Sequence, residues 1–371
     1  MIRLTKPEVD QAMESIASVL HNGFLVQGKQ VERFEAVVAD YVGRRYGIAV
    51  NSGTSAIQCA LMALGIGDGD EVIMPDFTFP ATANAVVACG AVPVLVDIDL
   101  ATFNMDPAAA EAKITSRTRA LMPVDLFGLA ADLVGLGKVC ERRGVSLVED
   151  SACGLGSRQG KGKCGSFGEV SALSFHPRKV VTTGEGGMVL TDGDERAIMV
   201  RQLRNHGIAV ESGKLQFVRA GYNLRMNEIQ ACLGITQMAQ IDGLLAGRRR
   251  MAAIYDHLLA EIEEITCPTQ PVGYYHTYQS YVVLLDERIN RDQLILNMKG
   301  RGVETTIGTY SVHVQPFYRD RLGYKLGAFP VSHYAFTHSL SLPIYPSMEE
   351  EVVQQVVSSL KGCIGQALAG K

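Results

Sequence analysis

The chain has 371 residues, 47% hydrophobic and 20% charged, enough to bury the cores of one large and one smaller domain. A net charge of −4 excludes the strongly basic surface typical of nucleic-acid binding, so we expect no nucleic-acid partner. No apolar run approaches the roughly 20 residues that cross a bilayer, so we expect no membrane partner. The eight cysteines lack zinc-ligand spacing, which predicts no metal site and reduced thiols in the cytoplasm.

Helical spacing of apolar residues predicts amphipathic helix over the first forty residues, with a loop around Gln27. From Tyr46 onward, short apolar strands alternate with helical segments. We predict strands at residues 47–50, 71–74, 92–96, 120–124, 145–148, 170–175 and 187–191. This alternation predicts an α/β fold with a doubly wound, mostly parallel central sheet flanked by helices.

A long amphipathic helix is predicted from Asn227 to about Glu264, with a break near Gly243. We place the domain boundary within this helix. Residues 1–245, with their N-terminal helical segment, would form the large domain. Residues 246–371 would form a small C-terminal α+β domain, with a strand at 281–285 and a helix at 292–299.

One lysine, Lys179, lies in a loop of residues 174–187 that follows an apolar strand and ends with three glycines within four positions. Glycines allow tight turns and close approach of the backbone to a ligand. A lysine in such a loop can form a Schiff base with an aldehyde. The alternative interpretation is a strand end, a glycine turn and a solvated surface lysine.

Other candidate groups also follow predicted strands. Thr54 and Ser55 lie in a polar turn that opens a helix, where amides, hydroxyls and the helix dipole favour a phosphate; the alternative is an ordinary N-cap. Phe79 and Asp150 likewise follow strands, and ligands of doubly wound sheets bind at the carboxyl ends of strands.

Pyridoxal phosphate requires four groups from a protein, and the chain offers a candidate for each. The aldehyde needs a lysine, the ring nitrogen a carboxylate, the phosphate amides and hydroxyls, and the ring face a flat apolar side chain. The candidates are Lys179, Asp150, the turn at 53–55 with Ser174, and Phe79.

Several stretches match one known family in their order and spacing. They are Asn51-Ser-Gly-Thr-Ser-Ala56, Pro75-Asp-Phe-Thr-Phe-Pro-Ala-Thr82, Glu149-Asp-Ser-Ala152, Gly165-Ser-Phe-Gly168, Ser174-Phe-His-Pro-Arg-Lys179, Thr183-Gly-Glu-Gly-Gly187, Gly221-Tyr-Asn-Leu-Arg-Met-Asn-Glu-Ile-Gln230 and Leu340-Ser-Leu-Pro-Ile-Tyr345. Over nearly its whole length the chain resembles the DegT/DnrJ/EryC1/StrS family, sugar aminotransferases of fold type I that use pyridoxal phosphate.

The resemblance implies a role for each cofactor-site residue. Lys179 would bond to the cofactor aldehyde, and Asp150 would pair with the ring nitrogen. Thr54, Ser55 and Ser174 would hold the phosphate.

The resemblance also implies a homodimer with shared active sites. Phe79 occupies the ring-stacking position, and Asn223 would reach the phosphate of the neighbouring subunit. Arg225, two residues further on, would face the same interface. One departure concerns Cys153, because many family members carry Gln or His there, near the 3′-oxygen of the cofactor. A thiol is a weaker donor, which puts a functional role of Cys153 in doubt.

By resemblance, the reaction transfers an amino group from L-glutamate to a nucleotide-linked keto sugar, with ping-pong kinetics. Overall likeness favours a 4-keto-6-deoxyhexose and an aminodeoxy sugar destined for surface polysaccharide, lipopolysaccharide, other glycans or antibiotics. Candidate substrate contacts are Gln27, His176, Arg225, Tyr310 and His313. For each of them a purely structural role is an open alternative.

Three alternatives remain within this resemblance. The acceptor could be a 3-keto sugar or an aminocyclitol ketone. A dehydratase branch of the family has histidine in place of the lysine, and Lys179 argues against it. Regulatory, sensor-like proteins that bind the cofactor without turnover are the third, and the complete cofactor set argues against them.

Overall fold

The computed structural model describes residues 1–369. Several of its α-helices are bounded by residues that favour a helix cap or a turn. Gly23 and Gly43, for example, end the first two helices with φ of 72° and 89°, a conformation that favours glycine. The helices are α1 (Met13–Asn22), α2 (Lys29–Val42), α3 (Gly53–Ala63), α4 (Ala81–Ala88), α5 (Pro107–Glu111), α6 (Leu133–Arg143), α7 (Asp194–Arg204), α8 (Glu228–Met238), α9 (Ile241–Leu259), α10 (Arg291–Gly300), α11 (Pro316–Leu322), α12 (Pro330–His338) and α13 (Glu350–Ala369).

The strands include a long-stranded central set and several two-residue pairs. They are β1 (Tyr46–Val50), β2 (Glu71–Pro75), β3 (Phe77–Thr78), β4 (Val92–Val96), β5 (Thr118–Leu121), β6 (Ser146–Asp150), β7 (Arg158–Gln159), β8 (Gly162–Lys163), β9 (Val170–Ser174), β10 (Gly187–Thr191), β11 (Ile208–Glu211), β12 (Lys214–Phe217), β13 (Ile265–Thr266), β14 (Tyr274–Tyr275), β15 (Tyr281–Leu285), β16 (Thr306–Ile307), β17 (Tyr310–Ser311) and β18 (Ser339–Leu342).

A seven-stranded sheet forms the centre of the large domain, in the order β1-β10-β9-β6-β5-β2-β4. Within it, β10 pairs antiparallel with β1 and β9, and the remaining pairs are parallel. Helices cover both faces, which explains why strands such as β10 are buried along their whole length. The predicted α/β fold class with a mostly parallel sheet is confirmed.

Different helices pack on the two faces of the sheet. On one face, α3, α4 and α7 contribute Ile57, Leu61, Val86 and other apolar side chains to the core. On the other, α2 and α8 cover the sheet, and the rings of Phe34 and Phe175 lie 4.9 Å apart. The sheet is therefore packed on both sides, and the candidate site is built on the ends of its strands.

The C-terminal part contains a four-stranded antiparallel sheet in the order β13-β15-β18-β16, packed against α9, α10 and α13. Leu245 packs in the core of the large domain, and Met251 packs in the C-terminal core. The boundary at residue 245 stays a prediction. The N-terminus differs from that division, because Ile2 pairs with Val303 and packs against the C-terminal core.

The predicted helix from Asn227 is interrupted earlier than expected. Helix α8 ends at Met238 and α9 begins at Ile241, so Gly243 lies inside α9. An isolated glycine within a helix costs only about 1 kcal/mol, and the surrounding packing decides where the chain bends. Among the helices of residues 1–369, none is both long and apolar enough to cross a membrane.

Candidate active site

The carboxyl ends of several strands meet at one edge of the central sheet. Asp150 ends β6, and Ser174 ends the adjacent β9. Gly187 begins β10 opposite Ser174, and a Cβ atom there would lie 2.2 Å from the carbonyl oxygen of Ser52. A Cβ atom on Gly53 would lie 2.7 Å from Cβ of Ser174. The two glycines therefore let the first turn of α3 approach the end of β9.

Asp150 is 2% exposed, and both its carboxylate oxygens accept hydrogen bonds. Oδ2 accepts from the Thr82 hydroxyl at 2.7 Å, and Oδ1 from the Ala152 amide at 3.2 Å. Burial raises the pKa of Asp150 above its ordinary value, although Thr82, the Ala152 amide and the charge of Lys179 lower it in part. A cation beside this carboxylate would therefore offset the cost of its burial.

The preceding residue, Glu149, fixes the end of β6 from the opposite side of the strand. Its carboxylate accepts hydrogen bonds from the amides of Gly165, Phe167 and Gly168, at 2.5–2.7 Å. The stretch Gly165-Ser-Phe-Gly168 therefore wraps a buried carboxyl group. It supports Asp150 indirectly.

Lys179 is half-buried, and its Nζ donates a hydrogen bond to Sγ of Cys153 at 3.0 Å. Two glutamines hold the loop that carries it. On α8, Gln237 accepts from the Thr182 amide at 3.1 Å and donates to the Thr182 carbonyl oxygen. From the C-terminal part, Gln279 donates to the carbonyl oxygen of Arg178 at 2.6 Å. The amine is thus positioned by both domains.

The first turn of α3 presents an anion-binding surface. Ser52 is the N-cap and accepts from the Ser55 amide at 3.1 Å, while the Ser55 hydroxyl donates to Asn51 Oδ1 at 2.8 Å. Thr54 is exposed and Ser174 is half-buried. The backbone N–H groups and the dipole at the start of a helix attract a phosphate.

Phe79 is 62% exposed at the same edge of the sheet. Its ring meets that of Tyr310 edge-on, with centroids 6.1 Å apart. Tyr310 belongs to β17, which pairs with β3, so a segment of the C-terminal part lies beside the ring. An exposed aromatic side chain here is available to stack on a flat ligand.

Residues 221–227 lie against the end of β1. The Asn51 amide donates to the carbonyl oxygen of Leu224 at 2.8 Å. The side chain of Asn223 is exposed, and Arg225 donates to Asn205 Oδ1 at 2.7 Å. Gln27, with φ of 54°, donates to the Met226 carbonyl oxygen at 3.4 Å.

His176 is exposed two residues after Ser174, and its Nδ1 accepts from the Arg178 amide at 3.3 Å. Partial burial and the nearby charges of Lys179 and Arg178 lower its pKa, although Glu185 opposes them. The neutral imidazole is therefore favoured at pH 7.

His313 requires a correction. The sequence predicts a substrate contact, but this side chain is 0% exposed. Its Nδ1 lies 2.7 Å from Oδ2 of Asp76, and its Nε2 lies 2.9 Å from the Leu326 carbonyl oxygen. Both ring nitrogens are occupied by protein acceptors, so His313 has no atom free for a sugar.

Comparison with known proteins decides the family. The model of the DegT/DnrJ/EryC1/StrS aminotransferase family matches residues 7–361. The chain belongs to this family. It is similar to GDP-perosamine synthase of Caulobacter vibrioides, with 37% identity over 336 residues and 90% of each chain covered.

Two further relatives show the range of the likeness. A pleiotropic regulatory protein of Geobacillus stearothermophilus is 37% identical over 360 residues, covering 96% of this chain and 94% of that protein. The PMP-form of Spr1654 from Streptococcus pneumoniae superposes with a TM-score of 0.95 at 25% identity, covering 99% and 98% of the two chains. The match to this family and the likeness to GDP-perosamine synthase and to solved sugar aminotransferases show that the chain is a pyridoxal phosphate-dependent sugar aminotransferase.

The residues at the strand ends fit pyridoxal phosphate. Asp150 offers a buried carboxylate whose raised pKa reports an uncompensated burial cost, and a protonated ring nitrogen would supply the missing cation. The close approach of Gly53 to Ser174 brings the Ser174 hydroxyl beside the first turn of α3, so that hydroxyl and amide groups could contact one phosphate. Lys179 supplies the amine. The role of each residue stays a prediction from the sequence.

Thr82, Gln237 and Gln279 support the site without having been selected as site residues. Thr82 ends one of the stretches that match the family, and its hydroxyl could have indicated a hydrogen bond to a site residue. The two glutamines lie 58 and 100 residues after Lys179 with no local pattern around them. Only the packing of the two domains reveals their contacts to the lysine loop.

Proposed function

We propose that this chain transfers an amino group from L-glutamate to a nucleotide-linked 4-keto-6-deoxyhexose, for the synthesis of an aminodeoxy sugar. The observation that carries the proposal is the meeting of an amine, a buried carboxylate and a helix N-terminus at one edge of the sheet. The likeness to GDP-perosamine synthase supports a nucleotide-linked sugar as acceptor.

The proposed chemistry assigns proton movements to two side chains. When bound, pyridoxal phosphate supplies the aldehyde that receives the amino group and a ring that withdraws electrons. Lys179 would then act as general base and acid, taking a proton from the donor carbon and delivering it to the cofactor carbon that began as the aldehyde. Asp150 would keep a proton on the ring nitrogen.

The remaining predicted residues bind and orient. Thr54, Ser55 and Ser174 would hold the phosphate, and Phe79 would cover the ring. Substrate contacts are proposed for residues that remain accessible or half-buried at this edge, namely Gln27, His176, Arg225 and Tyr310.

We also propose a homodimer in which Asn223 completes the neighbouring subunit's phosphate site. Two exposed apolar segments support this arrangement. One is the hairpin β11–β12, in which Leu215 and Phe217 are 61% and 71% exposed. The other is residues 24–26, which lead to the pairing of Val26 with Asn227. Both flank the segment that carries Asn223, and a second copy of the chain would bury them.

We place the reaction in the cytoplasm. The eight cysteines lie within residues 1–369 as free thiols, as expected of a reducing compartment. A 3-keto sugar or an aminocyclitol ketone remains the alternative acceptor. The regulatory alternative without turnover is set aside, because the family to which the chain belongs is one of aminotransferases.

The test incubates the purified protein with pyridoxal phosphate, L-glutamate and a panel of acceptors. The panel contains nucleotide-linked 4-keto and 3-keto sugars and an aminocyclitol ketone, and products are identified by mass. We expect release of 2-oxoglutarate and formation of one 4-amino sugar from its 4-keto acceptor. Lys179→Ala is the inactive control. A visible band that does not respond to L-glutamate, with no 2-oxoglutarate released, would refute L-glutamate as the amino donor.

A further inference from the structure

Asp76 follows β2 directly and is fully buried, although it is ionisable. Its carboxylate accepts from the His313 amide and from the Ser311 hydroxyl, at 2.7 and 2.6 Å. It also accepts from the Ser332 hydroxyl and pairs with His313 Nδ1 at 2.7 Å. All of these partners come from residues 311–332, so one carboxylate attaches that segment to the large domain.

The two hydrogen-bond partners of the His313 ring favour its imidazolium form. A carbonyl oxygen and a carboxylate can only accept hydrogen bonds, so a ring that contacts Leu326 O and Asp76 must donate from both nitrogens. Burial alone lowers the pKa of His313, but the bonds to Asp76 and Leu326 outweigh it and the pKa lies above its ordinary value. Other titratable groups nearby include Asp97, which accepts hydrogen bonds from two amides in the first turn of α12, Tyr324, which interacts electrostatically with Asp76, and His333, whose ring centroid lies 6.4 Å away.

This ion pair is connected to the candidate active site through adjacent backbone. The residues after Asp76 form β3, where Thr78 pairs with Tyr310. The hydroxyl of Thr78 lies 3.0 Å from that of Thr82, which donates to Asp150. Phe79 follows immediately. Asp150, through its bond to Thr82, and the ring of Phe79 are therefore both positioned next to β3, the strand on which the ion pair holds β17.

We propose that the Asp76–His313 ion pair is a positioning device that holds β17 against β3 and thereby places Phe79 and the Thr82–Asp150 hydrogen bond for the cofactor. The proposal rests on the proposed roles of Phe79 and Asp150. His313 acts through Asp76 and touches no substrate. Loss of its proton removes the charge that Asp76 needs and loosens the contact between the two domains.

The test compares His313→Asn with His333→Asn, a matched change at an exposed histidine nearby. The dissociation constant of pyridoxal phosphate is measured from its visible band, and the half-reaction with L-glutamate is measured in a single turnover. Misplacement by about 1 Å can cost about 100-fold in rate. We expect His313→Asn to weaken cofactor binding and slow the half-reaction at least tenfold, with His333→Asn unchanged.

The pH dependence provides a readout that loss of packing alone would not give. Below the pKa of His313 the ion pair is intact, and as pH rises through that value the pair is lost. The affinity of the wild type and of His333→Asn for the cofactor should fall as pH rises through the pKa of His313. We call this decrease the alkaline limb, and His313→Asn should lack it. Equal constants and equal limbs in the two variants would overturn the proposal.

A variant that removes both charges covers the case in which His313→Asn fails to fold. Asp76→Asn combined with His313→Asn leaves no buried charge unpaired. Absence of the alkaline limb in this double variant supports the proposal, and wild-type affinity and limb overturn it. A wild type that binds the cofactor without reacting with L-glutamate contradicts the proposed function, while the binding constants still test the ion pair.

Discussion

Asp150→Asn separates the role of the carboxylate charge from its role in packing. Asparagine is isosteric, and its remaining oxygen can still accept from Thr82 or from the Ala152 amide. In the cofactor-free protein the buried charge is a cost, because burial raises the pKa of Asp150. The variant should therefore fold at least as well as the wild type at neutral pH.

The pKa direction gives the sign of this stability effect. A carboxyl whose folded-state pKa is raised keeps its proton longer in the folded than in the unfolded state. Its contribution to stability therefore declines as pH rises above the unfolded value. Without cofactor, the advantage of Asp150→Asn over wild type should grow with rising pH until the folded-state carboxyl has ionised. At pH values below the unfolded pKa this advantage should vanish.

With the cofactor bound, the effect of the same substitution reverses. An opposite charge within about 4–6 Å shifts a pKa by about 1–3 units, and each unit is worth about 1.4 kcal/mol, or tenfold. Loss of the carboxylate charge should therefore slow turnover about 10- to 1000-fold, because the ring nitrogen loses its proton more readily.

The assay measures thermal unfolding with and without pyridoxal phosphate, and single-turnover reaction with L-glutamate. A ligand that binds the folded state raises Tm, and this rise should be smaller in the variant. Asp106→Asn is the matched control, because Asp106 caps α5 and asparagine caps equally well. An Asp150→Asn protein within a few-fold of wild-type turnover, with an undiminished Tm shift, would show that Asp150 is only structural.

Three further predictions test other parts of the molecule. Lys179→Ala should abolish transamination, while the protein should still fold and bind the cofactor, as measured by absorbance. Wild-type turnover in this variant would contradict the assignment of Lys179 as the catalytic amine. Asn223→Asp should inactivate the homodimer by placing a carboxylate against the phosphate, and mixing it with Lys179→Ala should restore some activity; no recovery after subunit exchange verified by mass would count against shared sites. Asp125→Asn should stabilise the protein increasingly as pH rises from about 4 to 7 in denaturant titrations, because burial and Glu149 raise the pKa of Asp125 to about 7, so the folded wild type becomes less stable as this carboxyl ionises; parallel stability curves would disprove it.

The large-domain strands could be predicted because their signals are local. Predicted and observed bounds coincide at residues 92–96 and 187–191. Strands buried on both faces are apolar along their length and end at turn residues, so both features can be seen in a few consecutive positions. The helix after Asn227 is broken as predicted, but before Gly243, because a glycine destabilises a helix only weakly and packing decides where the chain bends.

Lys179 and Asp150 could be selected from the sequence because Asp150 ends an apolar strand and Lys179 lies in the loop after another, and a doubly wound sheet binds ligands at its strand ends. His313 shows the limit of that reasoning. Its residue type suited a ligand contact, but Asp76 engages its side chain from 237 positions away. Nothing in the neighbouring residues indicates this partner.

The sequence by itself determined the α/β class, the family resemblance and the chemical groups at the strand ends, because these depend on periodicity, turn residues and residue type. The tertiary structure decided which polar groups remain available. It joined Thr82 to Asp150, Gln279 to the lysine loop and His313 to Asp76. Hydrogen bonds between distant segments depend on how the two domains pack, and a side chain satisfied within the protein has no free atom for a ligand.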